Sequence, residues 1–255
     1  MPSSLASYPS LRDKVVFISG GSTGIGAELV AAFARQGARV GFIDIDTQAA
    51  TRLIQTLDSA LHQPHFVPCD VASVSALKDS IAAVARHFGD IEVLINNVAN
   101  DDRRDLEKVD EAHFDWSVAI NLRPSYFAIQ AVAPGMQRRG GGSIVNIGSF
   151  SWLLKQSEVS CYATLKSAAM GLTKSLARKL GRDHIRINHL MPGWVMTEKQ
   201  LKLWVNAAAE QAIIENQCLP GKVLPQDIAA MALFLASDDS RMITAQDFVV
   251  DAGWT

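Results

Sequence analysis

Lys14-Val15-Val16-Phe17-Ile18-Ser19-Gly20-Gly21-Ser22-Thr23-Gly24-Ile25-Gly26 is the stretch on which the reading of the whole chain turns. Residues 14–19 form a short β-branched and aromatic run, the pattern of a strand buried on both faces. Glycines stop it. Residues 25–36 then place Ile25, Leu29, Ala32 and Phe33 at helical spacing, with Gly37 as terminator. Glycines between a first strand and a first helix adopt torsions closed to other residues and let a diphosphate approach the helix N-terminus. Gly20, Ser22, Thr23, Gly24, Ile25 and Gly26 are therefore candidates for binding a dinucleotide.

The same alternation continues outward. Residues 39–43, His65–Pro68, 91–95, 143–147, 185–190 and 248–250 read as strands. Residues 47–61, Val74–Phe88, 111–139 (interrupted near Pro124), Ser160–Gly181 and 226–236 read as helices. Unbroken apolar strands separated by amphipathic helices predict a parallel sheet covered on both faces. The expected fold is thus α/β, a Rossmann-type doubly wound parallel sheet in a single domain spanning 1–255. No linker or internal repeat divides it. Residues 1–10 read as a polar tail. Residues 196–223 form an unusually long connection, either a substrate lid or a surface insertion.

Composition narrows the function classes. The 255 residues are 48% hydrophobic and 20% charged, enough for a sizeable core. Net charge is -2, which offers no broad basic footprint for nucleic acid. The longest apolar run, Ile228 to Ala236, is about half the ~20 residues a membrane-spanning helix needs. The first ten residues lack the basic and apolar regions of a signal peptide. Cys69, Cys161 and Cys218 are far apart, which favours a reducing compartment. The expectation is a cytoplasmic protein with neither membrane nor nucleic-acid partner. The six histidines show no ligand spacing, and no metal is expected.

Chemistry concentrates where strands end. Asp44 closes the second strand, where a carboxylate accepts both ribose hydroxyls of NAD and repels the extra phosphate of NADP. The alternative is that Asp44 caps the following helix. Asp70-Val71, after the third strand, are candidates for touching adenine, with a helix cap as the alternative. Asn97 follows the fourth strand, beside the first in a doubly wound sheet. Tyr162 and Lys166 share one helix face at i, i+4 spacing, and a nearby ammonium favours phenolate. Tyr162 is thus a candidate general acid/base. Ser149, after the fifth strand, is placed to polarise a reacting oxygen. Asn121 is placed to hold a water joining Lys166 to solvent.

With these residues in place, the chain resembles the short-chain dehydrogenase/reductase family over essentially its whole length. The glycine loop (opening with Ser19 instead of Thr), Asn96-Asn97-Val98-Ala99-Asn100, Asn121, Ser149, Tyr162-x-x-x-Lys166 and Pro192-Gly193 with Thr197 all occur in the family's order. Val98 and Asn100 depart from the usual Ala and Gly. The resemblance implies a catalytic tetrad of Asn121, Ser149, Tyr162 and Lys166. It implies that Lys166 holds the nicotinamide ribose and that Pro192, Gly193, Val195 and Thr197 flank the nicotinamide. It also implies a homotetramer or homodimer.

Substrate is a separate question. The polar run Asn100-Asp101-Asp102-Arg103-Arg104, then Ser151, Trp152, Lys155 and Gln156, and Trp194, Glu198, Lys199, Gln200, Lys202 and Trp204 line the expected walls. Indole faces pack against sugar rings while amides and carboxylates bind hydroxyls. An acyl or steroid site calls for aliphatic walls. The segments resemble those of bacterial aldose 1-dehydrogenases within the family, which implies oxidation of a cyclic sugar at C1. Ser149, Ser151, Asn100, Trp152, Tyr162 and Trp194 are the substrate candidates. Two other readings stay open: a dehydrogenase of a sugar acid or 3-oxoacyl thioester, held by Lys155, Lys199, Lys202 and Arg103, and a non-enzymatic NAD sensor. A further alternative is that the tryptophans pack the lid or a subunit contact.

Overall fold

The computed structural model describes residues 6–255. Its centre is one seven-stranded, fully parallel sheet in the order β3-β2-β1-β4-β5-β6-β7. The strands are β1 (Val15–Ser19), β2 (Arg39–Asp44), β3 (His65–Pro68), β4 (Val93–Asn96), β5 (Gly142–Ile147), β6 (Ile185–Pro192) and β7 (Asp247–Val250). The helices are α1 (Gly24–Arg35), α2 (Thr47–Gln55), α3 (Val74–Phe88), α4 (Glu111–Asn121), α5 (Arg123–Arg138), α6 (Ser160–Gly181), α7 (Glu198–Leu203), α8 (Ala207–Asn216) and α9 (Pro225–Ala236).

The period-2 geometry of a strand sends alternate side chains to opposite faces, and β1 is buried on both. Val16 and Ile18 pack with Leu29, Phe33, Ile228 and Leu233 of α1 and α9 on one face. Val15 and Phe17 pack with Leu77, Ile81, Ile129 and Met136 of α3 and α5 on the other. Burying each such side chain stabilises the fold by roughly 1.5–3 kcal/mol. The chain reverses direction across the sheet between β1 and β4. The loops after those two strands therefore diverge and leave a crevice at their carboxyl ends.

One expected boundary needs correction, and three other segments gain detail. The second helix ends at Gln55, not near residue 61, because backbone N–H groups of Thr56 and Leu57 close tight turns on Leu53 and Ile54. The interruption expected near Pro124 in 111–139 is present: the segment forms two helices, α4 and α5, broken at Leu122, the N-cap of a helix with Pro124 in its first turn. The 196–223 connection carries α7 and α8, capped by Thr197 and Asn206. Of the polar tail, residues 1–5 lie outside the described residues, and residues 6–10 are held: Tyr8 N donates to Gln36 Oε1 (2.8 Å), whose Nε2 donates to Ala6 O (2.8 Å). Among the described residues no helix is long and apolar enough to cross a membrane.

Candidate active site

The glycine loop between β1 and α1 is shaped by backbone crowding. Gly20 sits at φ +68°, and a Cβ on Gly26 would lie 1.7 Å from Gly20 O, so α1 can begin this close to β1 only without a side chain there. Asn97 braces the loop from the β4 side, its Nδ2 donating to Ser19 O (3.1 Å) and Gly20 O (2.9 Å). Ser19 ties the loop to the residues after β4, its Oγ accepting from Asn97 N at 3.0 Å and Val98 N at 3.3 Å. Ser22 Oγ is buried without a partner, and Thr23 is exposed beside it. An unpaired buried hydroxyl at a helix N-terminus suits an incoming phosphate oxygen.

Asp44 ends β2 with its carboxylate turned back to the loop, accepting from Ser22 N (2.9 Å) and Asp46 N (3.1 Å). It is not the helix cap; Asp46 is, accepting from Ala49 N at 2.8 Å. Likewise Ser73, not Asp70, caps α3. Asp70 folds onto Ala72 N (2.9 Å) and stays exposed, while Val71 is buried in the core.

On the other side of the crevice, Ser149, Tyr162 and Lys166 line one cavity of about 550 Å³. The cavity also reaches Ile25, Asn97, Pro192, Gly193, Val195 and Thr197, so the dinucleotide candidates and the reactive side chains share a space. Ser149 Oγ donates to Ser151 Oγ (3.1 Å), and Ser151 N donates back to Ser149 Oγ (3.2 Å). Lys166 is buried, its Nζ 5.8 Å from the Tyr162 ring centroid and donating to Ile147 O at 2.7 Å.

The electrostatics differ from the expectation of a phenolate-favouring pair. Although the Tyr162 ring is partly open to the cavity, burial pushes its hydroxyl up to about 12; hydrogen bonding with Ser149 opposes this and the charge of Asp101 adds to it. Burial also brings Lys166 down to about 8. Desolvation outweighs the cation because the ammonium points at the Ile147 carbonyl and lies beyond hydrogen-bond reach of the phenol.

Asn121 holds the backbone of the loop after β4: its Oδ1 accepts from Asn100 N (2.8 Å) and its Nδ2 donates to Asn100 O (3.1 Å) and Ser117 Oγ (3.2 Å). Two residues stand elsewhere than expected. Asn100 faces a separate depression with Asp102, Arg104 and His113. Trp152 is exposed and does not line the cavity. Trp254 also lines the cavity, its ring 5.6 Å from Phe150 and 6.4 Å from Trp194. Nothing in the local sequence marks Trp254, because Asp251 sets its place. That buried carboxylate turns the C-terminus by accepting from Gly253 N (2.8 Å) and Thr255 N (2.8 Å).

A glycine loop at the sheet's switch point thus opens into the same cavity as a Ser-Tyr-Lys group. A family model described as Enoyl-(Acyl carrier protein) reductase matches residues 20–255. The chain belongs to the short-chain dehydrogenase/reductase family. It is an oxidoreductase whose cofactor is a nicotinamide dinucleotide. A probable galactose dehydrogenase of Rhizobium meliloti is 45% identical over 254 residues, covering 99% of this chain and 98% of the relative. D-xylose 1-dehydrogenase of Caulobacter vibrioides is 45% identical over 251 residues, covering 98% and 99%. Among solved structures, 7α-hydroxysteroid dehydrogenase complexed with NADH and 7-oxo glycochenodeoxycholic acid superposes with a TM-score of 0.91 at 30% identity, covering 96% of both chains.

Proposed function

We propose that this short-chain dehydrogenase oxidises a cyclic aldose at C1 to its aldonolactone, with NAD as the hydride acceptor. One observation carries the reading: the cavity holding Ser149, Tyr162 and Lys166 is walled by indoles and by ion pairs whose charges cancel. Trp194, Trp204 and Trp254 supply flat faces. Arg103 pairs with Glu158 (3.5 Å) and Lys199 with Asp101 (2.5 Å). Lys155 and Lys202 do not line the cavity. Apart from Lys166, whose ammonium donates to Ile147 O, the cations at the walls are each paired with a carboxylate, which favours a neutral polyol over a sugar acid. The near full-length likeness to galactose and D-xylose 1-dehydrogenases supports the same class.

Nicotinamide, when bound, supplies the hydride acceptor. Tyr162 takes the proton of the C1 hydroxyl. Ser149, fixed by Ser151, holds the same oxygen, and Lys166 holds the ribose beside it. Asn121 sets the backbone of Asn100, and with it the loop that leads into the cavity wall. Asp44 selects NAD: its carboxylate stands at the end of β2, and residues 20–26 carry no Lys or Arg to receive a second phosphate.

Assembly belongs to the same proposal. Phe114, Trp116 and Tyr126 on α4 and α5 are 44%, 39% and 48% exposed, a patch that a second copy would cover in a homodimer or homotetramer. Light scattering on the purified protein reads the number of copies.

The primary test is initial NADH formation against a panel of free aldoses, sugar acids and alcohols. Rapid reduction of NAD by an aldose with a lactone product is expected. Activity confined to a sugar acid or simple alcohol would overturn the sugar reading and leave the Tyr162 chemistry standing.

A further inference from the structure

Asp101 lies in the connection between β4 and α4 and reaches across the cavity mouth to a helix about a hundred residues later in the chain. Its Oδ1 accepts from Lys199 Nζ at 2.5 Å and its Oδ2 from Gln200 Nε2 at 3.3 Å. Gln200 passes the restraint on, its Oε1 accepting from Trp194 Nε1 at 2.9 Å. Trp194 in turn meets Trp254, whose ring packs edge-on against Phe150 just after Ser149. The same N-terminal turn of α7 faces the glycine loop: Thr197 caps the helix by accepting from Gln200 N at 3.3 Å, and its methyl lies 3.2 Å from where a Cβ on Gly24 would stand. A six-residue helix has little stability of its own, so these contacts decide where it sits.

We propose that Asp101 is a positioning residue: through Lys199 and Gln200 it fixes α7 and the Trp194 face as the sugar platform. Its side chain is 21% exposed and lines the cavity that holds Tyr162. This inference rests on the sugar reading above.

The test separates a latch from a general loss of structure. Asp101→Asn and Lys199→Met each break the contact that holds α7, so both should raise the KM for the aldose about tenfold while kcat and the Kd for NAD stay unchanged. The exchanged pair Asp101→Lys with Lys199→Asp should restore most of the KM.

Unchanged KM in both variants, or no recovery in the exchanged pair, would overturn the inference. If no aldose is oxidised, the sugar reading fails by itself, and KM is read on whichever alcohol the panel identifies. A readout without turnover accompanies these: acrylamide quenching of Trp194 fluorescence, taken as the difference from a Trp194→Phe control. It should increase in Asp101→Ala, and equal quenching would reject the platform.

Discussion

Replacing Lys166 by methionine should abolish turnover and yet make the protein more heat-stable near neutral pH. The amine is 3% exposed, and burial lowers its pKa from 10.5 to about 8. At about 1.4 kcal/mol per tenfold change in proton affinity, that depression corresponds to ~3 kcal/mol of folding free energy lost at pH 7, to order of magnitude. The methionine chain fills similar space without the charge. Against this, the variant loses the 2.7 Å hydrogen bond to Ile147 O, a charged-donor interaction of about 1.5–3 kcal/mol. The balance is a gain of ~1 kcal/mol, or about 2–4 °C in Tm for a chain of this size. The sign with pH follows from which state holds the proton. Between about pH 8 and 10.5 the unfolded lysine is charged and the folded one is not, so wild-type stability rises with pH through that window. The advantage of Lys166→Met should therefore shrink steadily as pH is raised from 7 to 10. Scanning calorimetry of both apoproteins at three pH values measures it. A variant several degrees less stable at pH 7, or a gap that does not change with pH, would refute the argument that Lys166 is held at an energetic loss for the sake of its site.

Tyr162→Phe should cut turnover by about 10²–10⁴-fold with NAD affinity nearly intact, read by steady-state kinetics and coenzyme titration. Because burial holds the Tyr162 phenol up to about 12, it is protonated at neutral pH, and the oxidation rate should climb with pH from 7 to 9 as the phenolate fraction grows; a flat profile would contradict this. Asp44→Ala should shift the ratio of kcat/KM for NADP over NAD upward by about tenfold or more, since it removes the carboxylate that repels the second phosphate. Gly26→Ala should abolish coenzyme binding or folding, since its Cβ would stand 1.7 Å from Gly20 O; binding at the wild-type Kd would show that the loop relaxes freely.

Local patterns already carried the parallel sheet, because strands buried on both faces must be apolar throughout and helices that cover them must repeat near 3.6 residues. Val74–Phe88 and Ser160–Gly181 could be delimited from their sequence alone for that reason. The glycine loop and the Tyr162/Lys166 pair were equally legible, since each depends on neighbours within a single turn. Where α2 stops was not, because it depends on turns made by Thr56 and Leu57 that no strong breaker announces.

The substrate walls were decided in three dimensions. Asn100 and Trp152 looked like wall residues by position, yet pairing with Asn121 turns the first into another depression and the second faces solvent. Trp254 entered the cavity from the far end of the chain, and Asp101 found Lys199 across about a hundred residues. Tyr162 shows the same division most plainly. Its spacing from Lys166 is written in the sequence, but whether the phenol's pKa falls or rises depends on how much water the finished fold removes and where the ammonium points. Spacing along one helix is a local property of the chain; desolvation belongs to everything packed around it, and only the folded structure sets that.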